Sequence, residues 1–574
     1  INANGDLLVV ASAGTGKTST LISRCERFIF DEVNPIPLDR ILMVTFTEAA
    51  AAEMRLRIRK KLEDALFKSK YNENVVKQLA LLTVANISTL HSFCLQLIRT
   101  YFYLLELDPQ IYVFDEGQAR ILALKTLDVI FRQHYEGNDE YSQRVKQLII
   151  DRARGYDPFV KDDVLRLYYF AQSLPKAQLW LKSQYDIYNN PQPVKWEEAL
   201  NSEFADWVNH WKGKLPRWQN IENVANCISE LEKILPNTPL NQAFKHLQQI
   251  KNYLDADWKP GTAKIKNNFL GEFVRDVDFF VSLQPIKNPD GTIENPILND
   301  WELTRHQIKT LIELAIEFDT KFSAAKRESG GVDFNDLEQM TIKLLVDDND
   351  KPTLVAEELR SRFDLIFVDE YQDINSAQHT IISSICRTGK QSNRFIVGDV
   401  KQSIYRFRRA NPYIFQKLRT DWSNNQEYKS VVQLSKNFRS DKKILSFVNE
   451  LFSKLMRLET GRVGYNKDAF LVSGLEDSND DSDSRNRVEL HLFLKGGENE
   501  EDAIDDKNGD ESEPTAIQKE AAMIAERLKS LKESKFKIKD KESGEMRELE
   551  WRDMVVLLRS PATRSEIYVR EFND

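Results

Sequence analysis

In the stretch LLVVASAGTGKTSTLISR, residues 7–24, an apolar run gives way to Ala13, Gly14, Thr15 and Gly16, then to Lys17, Thr18 and Ser19. The run Leu7–Val10 predicts a buried strand, and Thr18 onward predicts a helix with Leu21, Ile22 and Cys25 on one face. A glycine turn between strand and helix is an anion site, because its N–H groups and the helix dipole converge on phosphate. Lys17 would reach the terminal phosphates, and the Thr18 hydroxyl would ligate Mg²⁺. The strict phosphate-loop pattern wants glycine five places before Gly16, where this chain has Ala11. The plainer alternative is a glycine turn with no ligand, but Gly-Lys-Thr stands where phosphate chemistry needs it. A nucleoside triphosphate with Mg²⁺ is therefore the expected ligand, held by residues 13–19.

Two carboxylates, Asp369 and Glu370, follow the apolar run Leu365–Val368, at the carboxyl end of an expected strand where α/β sheets bind ligands. There Asp369 would hold Mg²⁺ and Glu370 would orient or deprotonate the attacking water. An isolated Asp-Glu after a strand is more often a turn or a helix cap; the phosphate loop on the same core reverses that. The stretch GDVKQSIYRFR offers Gln402 to the γ-phosphate and its water. Tyr405, Phe407 and Arg408 then mix rings with guanidinium groups, as a single-stranded nucleic acid site does. Alone it would read as the start of a surface helix with solvated arginines. Thr45, Phe46 and Thr47 follow the second expected strand, and Thr89, His91 and Ser92 follow the third. Hydroxyls there can hold phosphates and exposed rings can stack bases, although such residues are commonly just packed. In NFRS, Arg439 is a candidate arginine finger reaching across from a second domain, and Phe438 could stack on adenine.

These residues need a large scaffold. A chain of 574 residues exceeds one core and suggests three or four domains. A net charge of −9 announces no overall basic field, although a local groove can still be basic. The four cysteines are far apart and read as reduced core residues of an intracellular protein, neither a disulfide frame nor a zinc site. No stretch approaches a membrane span. Between the third strand and FDLIFVDEYQD lie some 250 residues, too many for a loop, so an inserted helical domain is expected. Its tryptophans read as core, and it ends in an amphipathic helix with Ile308, Leu311, Ile312, Ala315 and Phe322 along one stripe. The expected boundaries are a split nucleotide domain over 1–105 and 330–425, an insertion over 106–329, and a second domain beginning at 426. That second domain should contain acidic mobile loops at 473–484 and 496–513, a strand at NRVELHLFL between them, and a helix opened by a capping box at Thr515 and Gln518. The last residues read as a strand and a helix. Both ends suggest an internal piece of a longer polypeptide.

The strings ASAGTGKT, VTFTEAAAAEM, TLHSFC, FVDEYQD, VGDVKQSIYRFR and NFRS, in this order, resemble the motifs of UvrD/Rep-type superfamily-one DNA helicases. ELDPQIYVFDE, GVDFNDLEQM and GDVKQSIYRFRRANPYIF resemble the AddA/RecB branch, the helicase–nuclease subunits of bacterial double-strand-break processing. The resemblance implies an α/β fold of two RecA-like domains with ATP between them, a large helical insertion, and 3′-to-5′ movement on single-stranded DNA. It puts Gly14 to Thr18, Asp369, Glu370, Gln402 and Arg439 at the ATP site, and Phe46, His91, Tyr405, Phe407 and Arg408 on the DNA path. The partners it implies are single-stranded or duplex-end DNA and a second, AddB-like or RecC/RecD-like subunit, in a bacterial cytoplasm. The family's adenine-reading glutamine, its last two motifs and a nuclease-like carboxylate cluster are missing, so weak turnover is expected. A UvrD/Rep-like repair helicase without nuclease remains open. So does a non-motor, nucleotide-switched scaffold.

Overall fold

The computed structural model describes residues 5–68, 72–259, 262–424, 427–457, 463–475, 488–492, 515–540 and 543–573. Contacts divide the chain into two units, 1–482 and 483–574. The first is α/β, built on a six-stranded sheet whose strands are all parallel. In chain order its main elements begin with β1 (Asp6–Ala11), α1 (Lys17–Ile29), β2 (Ile41–Thr45), α2 (Glu48–Lys68), β3 (Asn86–Thr89) and α3 (Leu90–Thr100). They continue with α4 (Pro296–Glu328), α5 (Phe334–Leu345), β4 (Leu365–Val368), α6 (Ser376–Ile385), β5 (Arg394–Gly398) and β6 (Lys429–Leu434). The strands lie side by side in the order β6-β1-β5-β4-β2-β3.

Period-two alternation explains why these strands read as unbroken apolar runs. Leu8, Val10, Leu42, Val44, Ile366, Val368 and Ile396 enter one core, against Phe93 and Leu97 of α3 and Ile381 of α6. Leu7, Val9, Ile41, Met43, Phe367, Phe395 and Val397 enter the other, against Leu21, Ile22 and Cys25 of α1 and Met54 and Ile58 of α2. A parallel sheet covered by helices on both faces has no polar side to show.

Residues 116–328 are mostly helical and hold two further cores. The helices Glu116–Glu136, Glu140–Ala153, Pro158–Gln172 and Ala177–Asn189 pack on α4 around Phe131, Tyr168, Phe318 and Phe322. The expected stripe on α4 is seated there, with Ile312, Ala315 and Phe322 buried and Ile308 and Leu311 packed at its margin. The helices Val194–Lys214, Glu222–Glu232, Leu240–Asp255 and Gly271–Ser282 enclose Phe204, Trp211, Leu247 and Phe273. The two ends of this excursion are tied together: Tyr112 and Val113 pair in parallel with Gly331 and Val332. A Cβ on Gly331 would stand 2.5 Å from the Phe114 ring, so this close crossing needs glycine. Among the described residues no helix is long and apolar enough to cross a membrane.

The expectation of a second domain from residue 426 meets a difference. The strand there, β6, pairs residue for residue with β1, from Asp6↔Lys429 to Ala11↔Leu434, and forms one edge of the first sheet. Its apolar residues thus extend an existing core.

In the second unit the helix Ala516–Glu533 starts with the expected capping box at Thr515 and Gln518, and packs with Pro561–Asn573 around Ala521 and Tyr568. Lys537–Lys539 and Met546–Glu548 form an antiparallel pair. Two expected strands are absent among the described residues. Residues 488–492 alternate and 554–558 form an unbroken apolar run, yet among the described residues no strand is hydrogen-bonded to either, and Leu490, Leu492, Val555 and Leu557 are all more than 70% exposed. Alternation selects a face, but a ladder needs a neighbour. Residues 476–487 and 493–514, and with them most of the two acidic segments, lie outside the described residues.

Candidate phosphate site and aromatic platform

The carboxyl ends of the six strands carry every candidate residue, the edge at which an open parallel sheet receives ligands. After β1 the chain turns through Gly14 (φ +71°) and Gly16 (φ +84°), both left-handed and suited to glycine. The N–H and the hydroxyl of Thr15 donate to the Ser12 carbonyl at 3.3 and 2.7 Å, which tightens the turn. α1 begins at Lys17, so the residues expected to cradle phosphate precede or open a helix.

Lys17 Nζ donates to Glu370 Oε2 at 2.8 Å and to Gln402 Oε1 at 2.9 Å. Three residues from three strand ends, up to 385 positions apart, therefore meet at one ammonium. Glu370 itself has φ +49°, a left-handed conformation that side chains disfavour, held by its N–H donating to Asp369 Oδ1 at 2.9 Å. Strain at a carboxylate facing a phosphate-loop lysine is the kind that clusters at functional sites. The Asp369 N–H donates to the Val44 carbonyl at 3.0 Å, fixing β4 beside β2 at this end. Burial, and then the neighbouring Glu370 charge, push the Asp369 carboxyl up to about 6; the same two causes push Asp373 up to about 6. Thr18 and Asp369 offer hard oxygen donors of the kind Mg²⁺ takes when phosphate oxygens and water complete its shell. A divalent cation would also relieve the crowding of buried negative charge here.

The NFRS segment reaches this loop directly from β6. Asn437 Nδ2 donates to the Ala13 carbonyl at 2.6 Å, and the Phe438 N–H donates to the Gly14 carbonyl at 2.9 Å. Asn437 Oδ1 accepts from the N–H groups of Arg439 and Ser440, each at 2.8 Å, and so shapes the turn that presents Arg439. Arg439 thus stands beside the phosphate loop within the first unit, with Phe438 half exposed next to it. Asn437 was not legible as a site residue; the only signal was its place before Phe438 and Arg439.

Residues 1–423 match the UvrD/REP helicase N-terminal domain. The chain belongs to the UvrD/REP helicase family. It is 33% identical to the A subunit of an ATP-dependent helicase/nuclease of Clostridium acetobutylicum, an alignment covering 100% of this chain and 48% of that protein. Proteins of the same name from Bacillus cytotoxicus and a Thermoanaerobacter species are 32% and 34% identical, over 97% and 99% of this chain and 46% and 48% of their own. The chain spans about half the length of the curated relatives it matches.

In this UvrD/REP-family chain Phe46, Tyr405, Phe407 and Arg408 form a second cluster. The Phe46 and Tyr405 rings lie 4.6 Å apart at 30°, and Tyr405 and Phe407 lie 5.8 Å apart. The Arg408 guanidinium sits 5.5 Å from the Tyr405 ring and 5.9 Å from that of Phe407. Phe407 is 75% exposed, a large apolar ring held out by a short turn that ends at Arg409 with φ +66°. One exposed ring beside two half-buried ones, with a guanidinium among them, offers stacking surface and positive charge together.

The hydroxyl groups are more committed than expected. Thr45 Oγ1 donates to the Thr47 carbonyl at 3.0 Å, and Thr47 Oγ1 accepts from the Ala50 N–H at 3.1 Å. Thr89 and Ser92 both donate to Glu48 Oε1, at 2.8 and 2.6 Å, and these bonds, Ser92 first, hold the Glu48 carboxyl below its usual range. Phosphate contact by Thr45, Thr89 or Ser92 therefore requires a change of partner. The His91 ring lies 5.0 Å from Phe334, and its Nε2 meets Glu338 Oε1 at 2.9 Å. Glu338 also accepts from Asn375 and Gln378, at 2.9 and 2.7 Å, so His91 is anchored to a buried carboxylate. Phe334, 45% exposed at the start of α5, is a further ring beside these candidates that no spacing in the sequence singles out.

Proposed function

We propose that this chain is the ATP-driven motor part of a helicase–nuclease that moves 3′-to-5′ along single-stranded DNA at duplex ends. The observation that carries the reading is the meeting of Lys17, Glu370 and Gln402 at one ammonium, with Gln402 only three residues from the Tyr405–Arg408 platform. Hydrolysis chemistry and a grip on bases then share one short loop. The relatives are named as the A subunit of an ATP-dependent helicase/nuclease, which supports both the activity and a second subunit, of AddB-like or RecC/RecD-like kind.

In this reading the first RecA-like domain comprises 1–105 and 330–434, once β6 is counted in, and 106–329 is its helical insertion. The chain after β6 begins the second RecA-like domain. Residues Ala13 to Ser19 hold the phosphates, Thr18 and Asp369 hold Mg²⁺, and Phe438 stacks on adenine. Mg²⁺ supplies charge neutralisation on the phosphates. Glu370 activates the water, Gln402 contacts the γ-phosphate, and Arg439 meets the charge that develops there. Phe46, Tyr405, Phe407, Arg408, His91 and the neighbouring hydroxyls hold the strand.

The experiment is ATP turnover with and without oligo-dT, in the unsubstituted chain and in Glu370→Gln. DNA-stimulated turnover that falls about 10²–10⁴-fold in Glu370→Gln, with ATP still bound, is the expected result. Nucleotide binding with turnover indifferent to both DNA and Glu370 would instead favour a nucleotide-switched scaffold.

A further inference from the structure

Gln372 lies two residues after Glu370 and has no part in the phosphate chemistry assigned to Lys17, Glu370 and Gln402. Its side chain is 1% exposed and makes three hydrogen bonds. Nε2 donates to Glu370 Oε2 at 2.8 Å and to Asp373 Oδ2 at 3.0 Å, and Oε1 accepts from the Asp399 N–H at 2.9 Å. The amide orientation is dictated by its partners, because two carboxylates only accept and a backbone N–H only donates. The Ser403 hydroxyl donates to the Gln372 carbonyl at 3.3 Å, a second tie to the same loop.

These bonds close a ring. Lys17 donates to Glu370 and to Gln402; Gln402 Nε2 donates to Asp399 Oδ2 at 2.8 Å; the Asp399 N–H donates to Gln372; and Gln372 donates back to Glu370. Gly398, just before Asp399, leaves room for it: a Cβ there would stand 2.7 Å from Gln372 Oε1. A phosphate that engages Lys17 competes with Glu370 and Gln402 for the ammonium. The only other link between those two residues in the ring runs through Gln372 and Asp399.

We propose that Gln372 is a positioning residue that holds the Glu370 carboxylate and ties it to the 399–408 loop, so that the DNA platform and water activation are coupled through one buried amide. This rests on the motor reading above. A shift of the loop when a base stacks on Phe407 or Tyr405 moves the Asp399 N–H, and Gln372 passes that shift to Glu370. An amide serving only to satisfy buried polar groups would affect stability and leave this coupling untouched.

The test uses Gln372→Leu, which removes all three bonds, and Gln372→Glu, which keeps the shape and the acceptor for Asp399 but sets a carboxylate against Glu370 and Asp373. Turnover is measured against ATP and oligo-dT concentration, with oligo-dT affinity and melting temperature recorded alongside. The expected result is a tenfold or greater loss of DNA-stimulated kcat in both variants, with KM for ATP and oligo-dT affinity within threefold. If Gln372→Leu does not fold, Gln372→Glu alone carries the same expectation. A lowered melting temperature with DNA-stimulated kcat unchanged in a folded variant overturns the proposal, as does a parallel loss of kcat, ATP binding and DNA binding. No DNA-stimulated turnover, either in the unsubstituted chain or in a protein extended to the length of its relatives, sinks the motor reading itself and this inference with it.

Discussion

Gly14 shows how closely the phosphate loop is packed against the segment that carries Arg439. With φ at +71°, and a Cβ position only 2.4 Å from Asn437 Nδ2 and 2.8 Å from Arg439 Cβ, an added methyl meets both backbone strain and a clash. Gly14→Ala should therefore weaken ATP binding at least tenfold and lower the melting temperature. Unchanged nucleotide affinity would mean that this contact opens without cost. At the platform, Phe407→Ala should weaken oligo-dT binding by about 1–3 kcal/mol if a base stacks on the ring. Affinity measured by fluorescence anisotropy decides it, and no change removes Phe407 from the strand's path. Lys17, Glu370 and Gln402 were legible because their types and spacing name a chemistry. Asn437 and Gln372 were not, because an amide's work depends on what it faces: Asn437 meets Ala13, 424 residues away, and Gln372 meets Asp399, 27 away on a different strand end.

At the scale of elements, α6 carries a histidine whose ionisation the fold opposes. Burial first, then Arg394 and Lys417, lower the His379 pKa from 6.5 to about 4, and its Nδ1 meets the Tyr371 hydroxyl at 2.8 Å. The unfolded chain takes up a proton that the folded chain refuses. The stability from this group is thus present above 6.5 and falls away as pH drops toward 4. Asp369 and Asp373, raised to about 6, have the opposite slope: they bind protons more tightly when folded, and their contribution is lost as pH rises through 6. Only a comparison isolates the histidine. Between pH 7 and pH 5 the unsubstituted chain should lose on the order of 2 kcal/mol relative to His379→Gln in urea unfolding. Parallel pH curves for the two proteins would show that His379 takes up its proton in the folded state. The strands at Leu7–Val10 and after Arg40, and the helix start at Lys17, were legible to within one or two residues, since strand, turn and helix signals follow one another directly there; the helix Glu73–Leu81 carried no such signal. The expected strands at NRVELHLFL and near 554–558 meet no pairing partner among the described residues: the pattern is local, and the partner is not.

Across the whole molecule, hydrophobic burial is divided among separate cores. The sheet has one on each face, and the insertion has two more, around Phe318 and around Phe273. Phe273 is fully buried among Trp211, Trp207 and Phe280. Phe273→Ala should cost about 3–5 kcal/mol in its own core and leave ATP affinity unchanged. Calorimetry together with nucleotide titration checks this; a matching loss of ATP binding would show that the insertion and the sheet melt as one. The pairing of Tyr112–Val113 with Gly331–Val332 explains how some 200 residues can leave the α/β core and return without disturbing it.

The sequence by itself determined where to look, at the Gly-Lys-Thr turn, the paired carboxylates, Gln402 and the ring-and-arginine run, because each is a local spacing of a few residues. It also determined that a large helical insertion splits the core, since apolar periodicity is written in neighbouring residues. Only the tertiary structure decided that β6 completes the first sheet, that Asn437 clamps the phosphate loop, and that Gln372 closes a ring from Lys17 to Gln402. Those are hydrogen-bond choices that neighbouring residues do not pair: 424 positions separate Asn437 from Ala13, and 27 separate Gln372 from Asp399. No local pattern encodes them, because the donor and the acceptor become neighbours only after the sheet has formed.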